Sequence, residues 1–194
     1  MKKMLLHVCC APCSSHVLDL LKNEYSITAY FYNPNITEES EYAKRINEFK
    51  RFVSEAEFAQ NVKVVEGEYE PELFFEIAKG LENEPERGKR CYKCYRQRME
   101  KACVYARQND YDVFTTTLSI SPHKNAIWIN EIGRELSDKY DIAYYYSDFK
   151  KKNGYAHSIE LSREYNLYRQ DYCGCIYSRN EAVKRRESKE EDRQ

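Results

Sequence analysis

Lys3-Met4-Leu5-Leu6-His7-Val8-Cys9-Cys10-Ala11-Pro12-Cys13-Ser14-Ser15 decides how the rest of this chain is read. Lys3 to Val8 has the apolar density of a short buried strand, and it runs directly into a turn that carries three thiols. Ser14 and Ser15 then stand as caps before an apolar-periodic segment, His16 to Lys22, so the unit is strand, loop, helix. Outward from it the same alternation continues. Ile27 to Tyr32 is a second strand, ended by the turn Asn33-Pro34-Asn35. Thr37 through Ala59 sets Tyr42, Ile46, Phe49, Phe52, Val53 and Ala56 at helical spacing, with Thr37 and Ser40 as candidate caps. Val62 to Val65 is a third strand. Helices over Glu72 to Leu81 and Arg90 to Gln108, a strand over Val113 to Leu118, a helix over Asn125 to Tyr140 and a strand over Ile142 to Tyr146 complete the series.

Strands alternating with helices in this order predict a Rossmann-like parallel sheet with flanking helices. Beyond about residue 147 the alternation fades into a mostly helical or irregular, Tyr-rich segment that carries the last cysteines. Ligands of such sheets sit at the carboxyl ends of the strands. The Cys9–Ser15 loop lies at such an end, where a nucleotide-binding relative would carry glycines. No repeat or long linker divides the chain, so residues 1–180 are expected to form a single catalytic α/β domain. Residues 181–194, almost all charged, are expected to be a flexible tail.

Seven of the eight cysteines fall in three clusters, Cys9-Cys10-x-x-Cys13, Cys91-x-x-Cys94 and Cys173-x-Cys175, with Cys103 left over on an apolar helical stripe. A closed zinc site takes four ligands, so seven clustered thiols point to an iron–sulfur assembly, or to one metal site plus a redox pair. Cys9 and Cys10, adjacent on extended chain, would point opposite ways; in a turn they can reach two metals of one cluster. Cys91 and Cys94 have chelating spacing and complete a four-thiolate set with Cys9 and Cys10, enough for a [4Fe–4S] cluster, although zinc bound by the same pairs stays open. Cys173 and Cys175, separated by Gly174, suit either a strained, easily reduced disulfide or a second metal held with Cys13 or the nearby Asp171.

A disulfide framework is the competing reading. It fits short secreted domains, and this chain has 194 residues and an apolar run, Met4-Leu5-Leu6, that His7 breaks far short of a leader's roughly 7–15 residues. No stretch nears the ~20 apolar residues of a membrane span. A reducing cytoplasm, with no membrane partner, is the expectation.

The formal net charge of −1 conceals an asymmetry. Residues 1–86 hold 9 Lys and Arg against 16 Asp and Glu, and residues 87–194 hold 22 against 16. Eight cations, Arg87, Lys89, Arg90, Lys93, Arg96, Arg98, Lys101 and Arg107, surround Cys91 and Cys94 against the single anion Glu100. Such a run is either a solvated helix face or a cradle for nucleic-acid phosphates. Of the 18 tyrosines most should pack in the core, while Tyr165, Tyr168 and Tyr172, interleaved with Arg169, are candidates for stacking on a base. His7 and His16 suit structural roles, and His123, in a turn after a strand, could face the site.

Cys9-Cys10-Ala11-Pro12-Cys13, Cys91-Tyr92-x-Cys94 and Asp171-Tyr172-Cys173-Gly174-Cys175 resemble the motifs of the cobalamin-independent epoxyqueuosine reductases. The resemblance spans residues ~3 to 178, with no departure at these positions. It implies reduction of epoxyqueuosine in a tRNA anticodon to queuosine. It also implies a [4Fe–4S] cluster on Cys9, Cys10, Cys91 and Cys94, with Cys173 and Cys175 as a redox-active pair; the chemistry itself leaves open a further mononuclear iron there, acting as a Lewis acid on the epoxide oxygen. The partners implied are tRNA carrying epoxyqueuosine and an external electron donor. Two other classes fit parts of the pattern. An iron–sulfur tRNA-thiolation enzyme would need a Ser-Gly-Gly-type pyrophosphate loop that the Cys-rich loop lacks, and a zinc-binding nucleic-acid module would leave the Cys173 pair unexplained.

Overall fold

The computed structural model describes residues 1–191. Five strands, β1 (Lys2–Val8), β2 (Tyr25–Phe31), β3 (Lys63–Glu66), β4 (Val113–Thr116) and β5 (Ala143–Tyr144), form one sheet in the order β3-β2-β1-β4-β5. Every pairing is parallel, with Met4 opposite Ile27 on one side and Val113 on the other. The central strand explains itself. Met4, Leu5, Leu6 and Val8 are fully buried because helices cover both faces. On one face α1 (Ala11–Leu21), α2 (Glu39–Glu55) and the approach to α6 (Gly154–Glu164) pack Val17, Leu18, Ile46, Phe49, Phe52 and Phe149 under Met4, Leu6 and Val8. On the other, α4 (Lys89–Gln108) and α5 (Ala126–Tyr140) pack Met99, Cys103, Ile129, Ile132 and Leu136 against Leu5 and Phe114. Cys103 is thus a core residue, its S–H directed to the Leu136 carbonyl. α3 (Pro71–Ala78) and α7 (Ile176–Glu191) flank the carboxyl end, where Phe74 and Ala78 pack against Cys94 and Cys175.

The predicted Rossmann-like sheet is present, and chain order reverses between β1 and β4, which makes the crevice there the switch point of the fold. Local expectations change at three places. The thiol-bearing loop is shorter than its spacing suggests: α1 begins at Ala11, Pro12 sits in its first turn where a missing N–H costs nothing, and Ser14 and Ser15 lie inside the helix, bonding back to the Cys10 and Pro12 carbonyls. The long helix of residues 37–59 ends at Glu55, with a 3₁₀ turn over Glu57–Ala59. The segment after residue 147, expected to be mostly helical or irregular, contains α6 and α7. The flexible tail expected from Glu181 is a continuation of α7 to Glu191, with Ala182 buried and the Glu181 carboxylate accepting the Glu86 N–H. Residues 192–194 of that expected tail lie outside the described residues. No helix among the described residues is long and apolar enough to cross a membrane.

Candidate active site

β1 delivers Cys9 and Cys10 to the switch point, and the first turn of α1 adds Cys13. Cys10 is the N-cap residue, with extended backbone and no side-chain cap. The chain turns there, so neighbouring side chains that would diverge on a strand instead converge. The Cys9 and Cys10 sulfurs are 3.8 Å apart, and all three sulfurs lie within 4.8 Å of one another. Unpaired N–H groups at the start of α1 favour negative charge at this corner. Hydrogen bonds from Cys10 and Cys13 hold the Cys9 thiol well below its usual range. Cys13 is pushed well up by its bonds with Cys10 and Cys9 and by burial, and Cys10 is pushed up to about 11, since the bond from Cys13 is outweighed by the Cys9 charge and burial. The three sulfurs lie close enough to act as one chelate, with Cys9 the readiest of them to ionise.

The second sulfur group comes from α4 and the approach to α7. Cys91, Cys94, Cys173 and Cys175 line a small cavity of about 20 Å³, walled by Asn35, Phe74 and Arg90. Burial raises Cys91 to about 11, with negative charge at Cys173 adding to it, and burial raises Cys94 to about 12. The main cavity, about 430 Å³, is lined by Cys9, Cys13 and again Cys173, so Cys173 is common to both. All eight cysteines are free thiols.

The Cys173 segment is held from α2. Arg45, almost fully buried, donates to the carbonyls of Cys173 (3.0 Å) and Tyr172 (3.3 Å) while its Nε is paired with Glu41 at 2.6 Å. The Gly174 carbonyl accepts the Thr37 N–H at 3.3 Å. Gly174 has φ +123°, and a Cβ there would meet Ile36 at 2.9 Å, so this tight turn admits no side chain.

The surroundings suit an anionic metal–sulfur group. Arg98 is buried at the same place, its Nη2 donating to Asn33 Oδ1 at 2.5 Å while Nε and Nη1 have no acceptor among the described residues. Lys124, in the loop after β4, also lines the main cavity; burial opposes its charge, but its nearness to the sulfurs of Cys173, Cys9 and Cys13 outweighs burial and pushes the ammonium up. Thiol donors, inward-facing cations and orphaned donors together match a group of net negative charge.

Several residues singled out in the sequence lie elsewhere. Asp171 is at the exposed rim, its carboxylate paired with Arg186 at 3.1 Å. The basic run on α4 is not a continuous cradle. Arg90 is buried and donates to the carbonyls of Leu81, Glu82 and Glu84; Arg96 pairs with Glu135 and Lys101 with Glu70. Of the Tyr–Arg segment, Tyr172 and Arg169 line the cavity, whereas Tyr165 packs on Phe52 and Phe58 and Tyr168 bonds Glu41. His7 is buried between Thr116 Oγ1 and the Tyr32 carbonyl, with its imidazole held down at about 3 by burial and then by Arg98. His16 meets His157 across α1 and α6 at 2.9 Å, and His123 stands on the cavity rim. Arg45, Glu86 and Lys124 were not marked by motif; for Arg45 the signal was its place on the apolar stripe of α2, between Tyr42 and Phe49.

A doubly wound parallel sheet with a thiol cluster and inward cations at its switch point defines an α/β scaffold able to hold a metal. The family model described as epoxyqueuosine reductase QueH matches residues 4–181. The chain belongs to that family. It is 44% identical over 180 residues to the epoxyqueuosine reductase QueH of Staphylococcus epidermidis, covering 91% of this chain and 76% of the relative. The QueH of Streptococcus pyogenes serotype M1 is 44% identical over 177 residues, 90% of this chain and 69% of the relative. That of Thermotoga maritima is 35% identical over 184 residues, 92% and 91%. Membership places the chain outside the thiolation-enzyme and zinc-module classes.

Proposed function

We propose that this chain reduces the epoxide of epoxyqueuosine in tRNA to the alkene of queuosine. The observation that carries the reading is the convergence of all three cysteine motifs at the switch point of a QueH-family chain, with Cys173 facing both cavities. Loss of the epoxide oxygen as water consumes two electrons and two protons. A [4Fe–4S] cluster on Cys9, Cys10, Cys91 and Cys94 would supply electrons singly when bound. Cys173 and Cys175, alone as a dithiol or with Cys13 around a mononuclear iron, form the second centre.

The protein's own residues do the rest. The main cavity admits a single extruded nucleotide rather than a stacked base, and Tyr172, Tyr155 and Arg169 on its wall supply stacking surface. Lys124 Nζ holds a proton inside that cavity, and we assign it to the oxygen as it leaves. Arg169 and Arg185 at the rim, with the exposed Lys89 and Lys93 of α4, offer cations to the anticodon-arm phosphates. Free thiols fit a cytoplasmic setting, where an external donor provides the electrons.

The test is conversion of epoxyqueuosine-containing tRNA by anaerobically reconstituted protein with a chemical reductant, followed by mass spectrometry of the released nucleosides. Queuosine, one oxygen lighter than the substrate, is the expected product. An iron-loaded protein that leaves the tRNA unchanged overturns the reading.

A further inference from the structure

Arg98 is the buried cation whose hydrogen bonding the described residues leave least complete, with two N–H positions unmet. It lies two turns beyond Arg90 on α4, and the two differ in use. Arg90 closes its Nη1 onto three backbone carbonyls, sets Nη2 3.7 Å from Glu181 and stacks on Tyr177, which leaves Nε alone without an acceptor among the described residues. Arg98 is 1% exposed and has one protein acceptor, Asn33 Oδ1, which is itself fixed because Asn33 Nδ2 donates to the Val8 carbonyl at 3.0 Å. Its Nε and Nη1 are left without acceptors at a point bordered by Cys9, Cys94 and Cys173. An ionised guanidinium with unmade N–H bonds is costly to bury, so the missing acceptor belongs to whatever the cysteines hold.

We propose that Arg98 is a positioning residue that donates N–H···S hydrogen bonds from Nε and Nη1 to the sulfur of the bound iron–sulfur group, and thereby raises its reduction potential. This rests on the cluster reading above. Both the bonds and the positive charge stabilise the reduced, more negative state more than the oxidised one. Asn33 aims the fork, and the β1 carbonyl aims Asn33, so the strand that delivers Cys9 also registers the arginine.

The experiment measures iron and sulfide content and the midpoint potential of anaerobically reconstituted wild-type protein, Arg98→Lys, Arg98→Gln and Asn33→Asp. Arg107→Gln, at the exposed far end of α4, serves as the charge control. With iron content retained, Arg98→Lys is expected to shift the potential to more negative values and Arg98→Gln to shift it further, while Arg107→Gln matches wild type. Asn33→Asp, which keeps the arginine but neutralises it, is expected to give a negative shift too, and it decides the matter if both Arg98 variants lose the cluster. Potentials equal to wild type in the iron-loaded variants overturn the assignment. Wild-type protein that takes up no iron overturns the cluster reading instead.

Discussion

At the carboxyl ends of the strands a cavity of about 430 Å³ opens among thiols and cations, whereas at the amino ends a cleft of about 310 Å³ opens among Met1, Lys22, Tyr25 and Phe58. Size does not distinguish them. Strand polarity does, because each parallel strand ends where the next helix begins, and α1 brings unpaired N–H groups and a positive dipole end to the thiols. The amino-end cleft has no thiol on its wall. A site is therefore a matter of which backbone ends converge on a hollow.

The largest effect that sharpens this contrast is expected from Cys91→Ser or Cys94→Ser, which should lower iron content and abolish epoxide reduction. Full cluster content and turnover in either would break it. Arg45→Met comes next: it strands Glu41 and frees the Cys173 carbonyl, and it should destabilise the fold by about 3 kcal/mol in urea unfolding. Lys124→Met should lower kcat by roughly 10²-fold with iron content unchanged, and partial recovery in Lys124→Arg would support a role as cationic donor. Smaller again, Arg169→Glu with Arg185→Glu should weaken tRNA binding and reduce the salt slope of log affinity by about 1 per lost phosphate contact. At the opposite end, Lys22→Ala and Asn61→Ala should leave activity unchanged and alter stability by less than about 0.5 kcal/mol.

The sheet was legible because its signal is dense: Met4 to Val8 is apolar without interruption, as a strand covered on both faces must be. The cysteine motifs were legible for a chemical reason, since thiols one to three residues apart have the spacing that chelation or thiol exchange needs. Other features escaped because they depend on contacts made at long range. Whether Arg90 or Arg98 faces solvent is not written in a run of eight cations; it follows from the carbonyls of Leu81 and Glu84 and from Asn33, which only the fold brings near. Tyr165 and Tyr172, seven residues apart in one Tyr-rich segment, part company because α2 presents Phe52 to the first and Arg45 to the second. Helix α7 was hidden by its charge, which composition reads as solvated tail although Ala182 is buried.

Arg45 and Thr37 fasten the segment around Cys173 and Gly174, which follows every strand and the first six helices along the chain. A polypeptide emerging from the ribosome completes β1, α1 and the first turn of α4 well before residue 173 exists. The Cys9–Cys13 corner and the Cys91–Cys94 pair therefore meet solvent, and any metal donor in it, before the last cysteine pair arrives to cover them. The direction of synthesis thus makes two of the three thiol groups before the segment that joins them.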